Sequence, residues 1–514
     1  MVRSSVPLFD PVAWWSRVDP SRTALIEAAT GVHHSYASLD ADAGRWRSAL
    51  VGQDVRFGDR VGILAANRVE FIAIFYACTR IGAVLVPLNW RLSAAELARV
   101  LGDAEPLLLL GEDRWRSVAE EAVRIAGAGE SGAPPRWIDL DRDAPGLLRR
   151  ADADPAPAAM AWDAIGSEAA AMLLYTSGST GAPKGVVITH RQILFNAIAT
   201  TTAWRLGSED VGPAATPFFH TGGWHVFTTP LLFRGGTVVL IDAFEPEGHL
   251  SMLHRHGVTV TFGVPTQLAM LRESSEWGRR LPKLRWFISG GAPCPQRIKR
   301  EVRDAGYRFR EGYGLTECGP NCFATNDRTA LEKEGTVGWP VPFLDTRLRT
   351  DAGSLAEPDE TGELELRGAQ LFAGYFRSPV RTADALTVDG WLRTGDLASR
   401  DAEGIFSIRG RRKEMFISGG ENVFPGEVEA ALLDCPGVGE VSVIGVADAR
   451  WGEVGCALIV RRDPALTADA VTAHARIRLA GYKVPKRVQF VDAIPRLGSG
   501  KIDRVATSAL IETL

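Results

Sequence analysis

The chain has 514 residues, of which 46% are hydrophobic and 23% charged, so it can bury large cores and is neither disordered nor fibrous. At roughly 150 residues per domain, this length predicts two to four compact units. The 58 Lys and Arg nearly balance the 62 Asp and Glu, and the net charge of -4 argues against a nucleic-acid or anionic-membrane surface.

The first 110 residues alternate between helical and strand patterns. Helices are predicted around 39–50 and at 69–81, and strands at 61–64, 83–86 and 107–110. Ser93 followed by Glu96 predicts a capping box at the start of another helix. This alternation is typical of βαβ units in a parallel sheet.

Residues 127–168 are rich in Ala, Gly, Pro and Asp and are interpreted as a surface connection. A strand at 171–176 then runs into a Gly/Ser/Thr loop at 177–185, and a second strand follows at 186–188. Thr189 is predicted to cap a helix with one buried face, made of Ile193, Leu194, Ala197, Ile198 and Thr201.

Further along, strands are predicted at 237–241, 258–262 and 285–289, with a helix at 247–256. From about 346 to 367 the period shortens toward two, which indicates a β subdomain. The tail beyond residue 410 contains predicted helices at 427–434 and 470–480 and strands at 441–446 and 457–460. The predicted class is therefore α/β: a large N-terminal domain of βαβ-type sheets with a β subdomain, and a small α+β C-terminal domain.

The six cysteines lack the paired spacing and neighbouring histidines of a zinc site, so neither structural zinc nor a disulfide framework is expected. The first residues, MVRSSVPLFDPVAWW, lack the apolar core of a secretory signal. The chain contains no run of about 18 uncharged apolar residues. We therefore expect a soluble cytoplasmic protein without membrane insertion.

The loop YTSGSTGAPKG at 175–185 follows a strand and concentrates hydroxyls, glycines and a lysine. Backbone amides, hydroxyls and an ammonium in such a loop can bind phosphate oxygens. The spacing is not that of a Walker loop, because Gly185 follows Lys184. A bland surface turn is the alternative, although such a turn seldom concentrates these residue types.

Three other interpretations fail on sequence grounds. The segment 312–317 (GYGLTE) misses the dinucleotide fingerprint GxGxxG at its last position. The chain has no GxSxG nucleophile elbow, which argues against a serine hydrolase. It also has no HExxH or comparable cluster for catalytic zinc.

With the motifs that follow it, the loop resembles the adenylate-forming superfamily of acyl- and aryl-CoA synthetases, peptide-synthetase adenylation domains and luciferases. The resemblance covers nearly the whole chain in seven ordered motifs. They are YTSGSTGAPKG (175–185), PFFHTGGW (217–224), SGGAP (289–293), GYGLTE (312–317), GWLRTGD (390–396), GRRKEMFISGGENVFPGEVE (410–429) and PRLGSGK (495–501).

The resemblance implies an ATP site. Its residues would be Thr176, Ser177, Gly178, Ser179, Thr180, Gly181, Lys184, Gly291, Ala292, Gly312, Tyr313, Gly314, Thr316, Asp396, Arg411 and Lys501. Lys184 would meet the charge of the departing pyrophosphate, and Thr316 would donate to the α-phosphate. Glu317 would ligate Mg²⁺, which favours carboxylate and phosphate oxygens. Asp396 would accept both ribose hydroxyls.

The resemblance also implies two half-reactions. In the first, the substrate carboxylate attacks the α-phosphate in line, and Lys501 bridges the carboxylate and α-phosphate oxygens. In the second, the small domain rotates about the hinge residue Lys413 and a thiol attacks the adenylate. CoA would contact Gly419, Gly420, Glu421, Trp451, Tyr482, Lys483 and Lys486. Some relatives have Arg where this chain has Val484, and exposed lysines at a strand edge are the alternative interpretation.

The acid pocket implied by the resemblance is mostly apolar or small. Its residues would be Phe219, His220, Trp224, Val226, Gly291, Gly314 and Cys318. His220 would be a gate or lining residue, and the absence of an adjacent acidic residue disfavours an α-amino acid. The pocket suits an aryl or medium-chain aliphatic tail. For Trp224, core filling is an equal alternative.

The resulting prediction is an ATP- and Mg²⁺-dependent carboxylic acid:CoA ligase with an adenylation domain at 1–410 and a mobile lid domain at 411–514. Its partners would be the acid, ATP and CoA, without nucleic acid, and a homodimer is left open. A carrier-protein phosphopantetheine is an alternative acceptor. An alternative of another class is a non-catalytic nucleotide-binding protein, which the presence of Lys184, Glu317, Asp396 and Lys501 disfavours.

Overall fold

The computed structural model describes residues 8–127, 134–156, 162–177, 183–292, 294–497 and 502–513. The first strands, numbered along the chain, are β1 (Thr23–Glu27), β2 (His33–Ser35), β3 (Arg60–Leu64), β4 (Val84–Pro87), β5 (Leu108–Gly111), β6 (Arg136–Asp139), β7 (Ala170–Ser177), β8 (Pro183–Thr189), β9 (Val211–Ala214), β10 (Thr237–Leu240), β11 (Val260–Gly263), β12 (Trp286–Ser289) and β13 (Phe309–Glu311). They are followed by β14 (Phe323–Ala324), β15 (Trp339–Pro340), β16 (Leu344–Arg349), β17 (Gly362–Gly368), β18 (Leu392–Arg400), β19 (Phe406–Arg411), β20 (Phe416–Ser418), β21 (Glu421–Val423), β22 (Val438–Asp448), β23 (Gly452–Arg461) and β24 (Arg487–Phe490).

The helices are numbered in the same way. They are α1 (Pro11–Val18), α2 (Tyr36–Gly52), α3 (Val69–Ile81), α4 (Ala94–Ala104), α5 (Arg116–Ala126), α6 (Ala144–Ala153), α7 (Trp162–Ile165), α8 (His190–Ala203), α9 (Thr229–Arg234), α10 (His249–Arg255), α11 (Pro265–Glu273), α12 (Gln296–Asp304), α13 (Asp327–Glu332), α14 (Pro379–Ala385), α15 (Pro425–Leu433), α16 (Ala468–Arg478) and α17 (Arg504–Thr513). Short 3₁₀ turns lie at Asp113–Trp115 and Arg412–Glu414, and a π-helix at Gly223–Thr228. No described helix is both long and apolar enough to cross a membrane.

Strands β3 to β8 form a six-stranded sheet in the order β6-β5-β3-β4-β7-β8, parallel except for the antiparallel pair of β7 and β8. All four residues of β4 and of β5 are buried, as expected where helices cover both faces of a parallel sheet. The βαβ prediction is confirmed, and α3 has the predicted bounds. The Ser93–Glu96 capping box is also confirmed.

The prediction for 127–168 was wrong in part, because β6 and α6 lie within it. β6 is an edge strand in which only Ile138 and Asp139 are buried, so it lacks an apolar run. α6 buries Ala144 and Ala151, whose small side chains produce little hydrophobic periodicity.

Two further sheets bring the motifs together. One has the order β2-β1-β10-β9, and the other is the parallel sheet β11-β12-β13. Gly290 follows the carboxyl end of β12, and Gly312 follows that of the neighbouring β13. Ligands bind beyond the carboxyl ends of strands in open α/β sheets, so this edge is the expected site.

The later part of the chain forms two more sheets. The predicted β subdomain is the antiparallel sheet β16-β17-β18-β19, and the C-terminal sheet has the order β21-β20-β23-β22 with β24 beside β23. One hydrophobic core extends from Val12 to Phe406, whereas a separate one lies between Phe416 and Val484. The mixed α/β class, with a large N-terminal part and a small C-terminal part, is therefore confirmed.

An ion pair at the start of α17 ties the last helix to the C-terminal sheet. Arg504 Nη1 lies 2.5 Å from Glu429 Oε1, and it also donates to the Val443 carbonyl at 2.9 Å. Both side chains are largely buried, with 25% and 14% of their surface exposed. Removing one partner of such a pair leaves an uncompensated charge.

We therefore expect Arg504→Ala to lower the opening free energy of β22 by about 3 kcal/mol. Hydrogen exchange of the β22 amides measures this quantity. Arg328→Ala is the matched control, because Arg328 and Glu332 form an exposed pair, and such a pair contributes at most about 0.5 kcal/mol. Equal protection in the two variants would contradict the prediction.

Candidate active site

Helix α8 buries a stripe of polar side chains, Gln192, Asn196 and Thr200, spaced four residues apart. Gln192 Nε2 donates to the Thr316 carbonyl at 3.0 Å, and Asn196 Nδ2 donates to the His225 carbonyl at 2.8 Å. Because buried polar groups need partners, these bonds fix the position of the GYGLTE segment and of the π-helix against α8.

This face differs from the predicted one. Ala197 and Thr201 are buried as expected, but Ile193, Leu194 and Ile198 are only partly buried. The prediction assumed that the apolar side chains face the core. In the folded chain the hydrogen-bonding demands of the site turn the polar stripe inward.

The π-helix begins within the predicted acid-binding motif. Thr228 Oγ1 donates to the Gly223 carbonyl at 2.7 Å, and Thr229 Oγ1 donates to the Trp224 carbonyl at 3.2 Å. Burial lowers the pKa of His225 to about 3, so that its ring is neutral. Such widened turns are frequent at functional sites, and here the π-helix begins three residues after His220.

Phe262, near the end of β11, lies between the 217–224 and 289–292 segments. A methyl group on Gly222 would lie 3.7 Å from Phe262 Cε1, and one on Gly290 would lie 3.6 Å from Phe262 Cε2. Sequence reasoning missed Phe262. Its position one strand away from β12 is the signal that could have identified it.

The aromatic residues of the 217–224 motif have different environments. The Trp224 side chain has no exposed surface, and its ring centroid lies 4.5 Å from that of Phe218 and 4.9 Å from that of Phe75. Phe219 instead contacts the rings of His220 and Trp90, at 4.6 and 5.8 Å. These contacts favour the core-filling interpretation of Trp224. Val226 and Cys318 are buried as well.

The GYGLTE loop folds back on itself next to the segment that follows β12. Leu315 N donates to the Gly319 carbonyl at 3.1 Å, and Cys322 N donates to the Tyr313 carbonyl at 2.8 Å. A methyl group on Gly314 would lie 2.2 Å from the Pro320 carbonyl carbon, so any side chain there would force the loop apart. Gly314 is therefore required by the close approach of the two backbone segments.

Tyr313 and Arg411 both contact the buried carboxylate of Asp396. The Tyr313 hydroxyl donates to Asp396 Oδ2, and Arg411 Nε lies 2.8 Å from Asp396 Oδ1. The antiparallel pairing of β18 and β19 places Asp396 opposite Arg411. Burial raises the pKa of Asp396, and burial together with this carboxylate raises that of Tyr313. The structure thus brings together three of the predicted ATP residues.

Glu317 and Lys184 meet at Tyr375, a residue that sequence reasoning missed. The Tyr375 hydroxyl donates to Glu317 Oε1 at 2.8 Å, and Lys184 Nζ lies 5.4 Å from the centroid of its ring. Lys184 is paired with Thr176 across β7 and β8. Burial raises the pKa of Tyr375, so that its hydroxyl remains a neutral donor.

The carboxylate of Glu317 fits a magnesium ligand. Within the described ranges, neither a hydrogen bond nor an ion pair engages its Oε2 atom. The described residues contain no group of three or more side chains that could hold a metal ion. Mg²⁺ commonly uses one or two carboxylates together with substrate phosphates, so a single carboxylate is a sufficient protein contribution.

Several predicted residues lie outside the described residues, namely Gly178, Ser179, Thr180, Gly181 and Lys501. Thr176 and Ser177 end β7, beside the gap. Gly291 and Ala292 are exposed beyond β12. A methyl group on Gly290 would lie 3.1 Å from the Gly312 carbonyl oxygen, so the two glycine segments adjoin.

In the C-terminal part, the predicted CoA residues divide into two groups. Gly419 and Gly420 form the turn between β20 and β21, with φ of +61° and +87°. A methyl group on Gly419 would lie 2.8 Å from Trp451 Cε3, and Trp451 is 41% exposed. The exposed hairpin tip, including Glu421, and the Trp451 ring therefore form one surface.

The second group follows α16. Lys483 Nζ binds both carboxylate oxygens of Glu427, at 2.6 and 2.8 Å, and lies 5.6 Å from the Tyr482 ring centroid. Lys486 is exposed. The ammonium of Lys483 is thus already paired, whereas Lys486 is presented to solvent.

Comparison with known proteins gives matches over nearly the whole chain. Residues 12–376 match the AMP-binding enzyme family, and residues 427–501 match the AMP-binding enzyme C-terminal domain. The chain is 38% identical over 489 residues to feruloyl-CoA synthase of Amycolatopsis sp, covering 95% of each chain. It is 35% identical over 494 residues to indoleacetate–CoA ligase of Aromatoleum aromaticum, covering 94% of each.

The fold matches solved structures equally well. The o-succinylbenzoate CoA synthetase of Bacillus subtilis, in complex with its acyl-adenylate intermediate, aligns with a TM-score of 0.85 and 31% identity over 98% of each chain. Its complex with ATP and a magnesium ion aligns with the same TM-score of 0.85 and 31% identity, over 98% of this chain and 100% of that one.

The contacts of Trp224 lead to a stability prediction. Truncation of a fully buried aromatic side chain leaves a cavity, so we expect Trp224→Ala to lower the free energy of unfolding by about 4 kcal/mol. Urea denaturation followed by circular dichroism measures this value. Trp14→Ala is the control, because Trp14 is 38% exposed. A Trp224 variant as stable as the Trp14 variant would instead support a pocket-lining role.

Proposed function

Because the chain belongs to the family of AMP-binding enzymes, we propose that it is an AMP-forming acid–thiol ligase that joins an aromatic carboxylic acid to CoA through an acyl adenylate. The observation that carries the proposal is the convergence of Tyr313, Asp396 and Arg411 with Glu317 and Lys184 around one glycine-rich loop. ATP, CoA and the acid are then its substrates, with Mg²⁺ as cofactor, and these substrates favour a cytoplasmic location.

ATP binding follows from the chemistry of these side chains. The Asp396 carboxylate is buried and can accept hydrogen bonds from both ribose hydroxyls. Tyr313 would contact the adenine, and Arg411 would lie between ribose and phosphate. Loop 175–185 with Lys184 would bind the triphosphate. When bound, Mg²⁺ neutralises phosphate charge, and Glu317 would hold it.

The first half-reaction requires positioning rather than a covalent enzyme nucleophile. The acid carboxylate attacks the α-phosphate in line, and pyrophosphate leaves. Thr316 and Lys501 would stabilise the negative charge that develops on the phosphate oxygens. His220, beside Phe219, would separate the reacting carboxylate from the rest of the acid pocket.

For the second half-reaction, we propose that a lid domain at 411–514 rotates about Lys413 relative to an adenylation domain at 1–410. The contacts of the neighbouring residues support this hinge. Arg412 pairs with Asp351 and, at 2.9 Å, with Glu363, both before the hinge. Glu414 lies 3.6 Å from Arg504, near the end of the chain. Lys413 thus lies between one residue that is paired with the chain before the hinge and one that is paired with the chain after it.

Free CoA is the acceptor that the C-terminal surface favours. The exposed Trp451 ring can stack on the CoA adenine, and Gly419 and Gly420 leave room for a pantetheine arm. Lys486 is available to a phosphate, whereas Lys483 would first have to leave Glu427. A carrier-protein phosphopantetheine would need only the space beside Gly419 and Gly420 and not the Trp451 or Lys486 contacts.

The acid slot favours a flat aromatic ring. The slot is proposed beside the Phe262 ring, between the 217–224 and 289–292 segments, where Gly222 and Gly290 carry no side chain and leave an aromatic face accessible. Aromatic pairs in offset or edge-to-face geometry contribute about 1 kcal/mol beyond burial. The named substrates of two relatives, feruloyl-CoA synthase and indoleacetate–CoA ligase, point in the same direction.

The decisive experiment measures AMP release with ATP, Mg²⁺ and CoA across cinnamic, arylacetic, benzoic and medium-chain aliphatic acids. We expect aromatic acids to give the highest kcat/KM, and mass spectrometry to detect the corresponding adenylate when CoA is withheld. Release of AMP with a holo carrier protein but not with CoA would show that the acceptor is a carrier-protein phosphopantetheine. No AMP with any acid and either acceptor would count against the ligase.

Phe262→Ala tests the slot within the same panel, because a wider slot should shift the preference toward aliphatic acids. If the variant ranks the acids by kcat/KM in the same order as the wild type, Phe262 does not line the acid pocket.

A substitution at Lys501 distinguishes the two half-reactions. We expect Lys501→Ala to lower the rate of adenylate formation by at least about a hundredfold, because it removes a positioned positive charge. Thioester formation from a supplied acyl adenylate and CoA should remain near the wild-type rate. Lys486→Ala is the matched control and should affect the second step instead. Equal loss of both steps in Lys501→Ala would contradict the two-conformation account.

A further inference from the structure

We propose that Tyr375 is a positioning residue for the adenylation step: its hydroxyl orients the Glu317 carboxylate toward Mg²⁺, and its ring supports the Lys184 ammonium. This inference rests on the proposed adenylation chemistry. Tyr375 lies 58 residues beyond Glu317 along the chain, so the fold, and not closeness in sequence, brings the two side chains together.

The hydrogen bond selects one oxygen of the carboxylate. The Tyr375 hydroxyl donates to Glu317 Oε1 at 2.8 Å. Phe372 N donates to the Glu317 backbone carbonyl at 2.8 Å, so the same segment also fixes the main chain of Glu317. With Oε1 engaged, Oε2 is the atom left for a ligand. Partners that orient a metal-binding carboxylate in this way govern the affinity for the metal.

The ring acts on a second group. Lys184 Nζ lies 5.4 Å from the centroid of the Tyr375 ring, within the range of a cation–π interaction. Phe372 packs edge-on against the Tyr375 ring, with ring centroids 5.1 Å apart. The ammonium is thereby held on the same side chain that orients Glu317.

The backbone of Tyr375 is fixed by the strand that carries Lys184. Val187 N donates to the Gly374 carbonyl at 3.0 Å, and Phe376 N donates to the Gly185 carbonyl at 2.7 Å. Tyr375 N donates to Thr382 Oγ1 at 2.9 Å. Segment 372–376 therefore pairs with β8, and a displacement of β8 would shift the tyrosine that bonds Glu317.

The test uses Tyr375→Phe, which keeps the ring and removes the hydroxyl. Binding of Mn²⁺ in the presence of a non-hydrolysable ATP analogue, followed by electron paramagnetic resonance, needs neither an acid nor turnover. We expect an affinity about tenfold lower than that of the wild type, the usual cost of losing a partner that orients a metal ligand. Tyr307→Phe is the matched control, because the Tyr307 hydroxyl bonds only the distant Arg279 carbonyl among the described groups.

The kinetic signature follows from the same reasoning. In Tyr375→Phe, the Mg²⁺ concentration for half-maximal adenylate formation should rise about tenfold, while thioester formation from a supplied adenylate should stay unchanged. A general structural role would lower both steps together. Tyr375→Leu should additionally weaken binding of the metal-free analogue, since the support of Lys184 is lost.

A double-mutant comparison shows whether Tyr375 acts through Glu317. In a Glu317→Gln background, the Tyr375→Phe change should leave Mn²⁺ binding unaltered, whereas an equal further loss would overturn the proposal. Wild-type Mn²⁺ affinity in the single variant would overturn it as well. If the wild type forms no adenylate with any acid, the proposed function fails, while the Mn²⁺ measurement still decides the role of Tyr375.

Discussion

The site depends on hydrogen bonds from the buried polar stripe of α8. Gln192 binds the backbone of Thr316, Asn196 binds that of His225, and Thr200 accepts from Asn321. A buried donor or acceptor without a partner costs about 1–3 kcal/mol, so each bond strongly disfavours any displacement of these segments. One helix thus fixes the position of the GYGLTE segment relative to the π-helix.

Two carboxylates, Asp396 and Glu317, lie near the segments that α8 holds. Asp396 is held by the Tyr313 hydroxyl and by the Arg411 guanidinium, and Glu317 is held by the Tyr375 hydroxyl. In the proposed function, Asp396 would accept from the ribose hydroxyls and Glu317 would hold Mg²⁺ through its second oxygen. The net charge of the chain is -4, so the proposed phosphate contacts would depend on individual cations such as Lys184 and not on a strongly basic surface.

The proposed division of the chain has a similarly local basis. Arg412 is paired with the β subdomain, and Glu414 with Arg504 in the C-terminal part. A change of φ and ψ at Lys413 alone would leave both sets of ion pairs intact. The rotation proposed for the second half-reaction would thus be concentrated in one residue, as hinges in enzymes commonly are.

The sequence by itself determined the α/β class, the βαβ alternation, the capping box and the family motifs, because these depend on local periodicity and residue spacing. It missed the edge strand β6 and misjudged the buried face of α8, because edge exposure and buried hydrogen bonds arise from neighbours distant in sequence. Only the tertiary structure placed Trp224 in the core, Phe262 between Gly222 and Gly290, and Tyr375 between Glu317 and Lys184. These positions follow from strand order and from packing between segments that no spacing along the chain encodes.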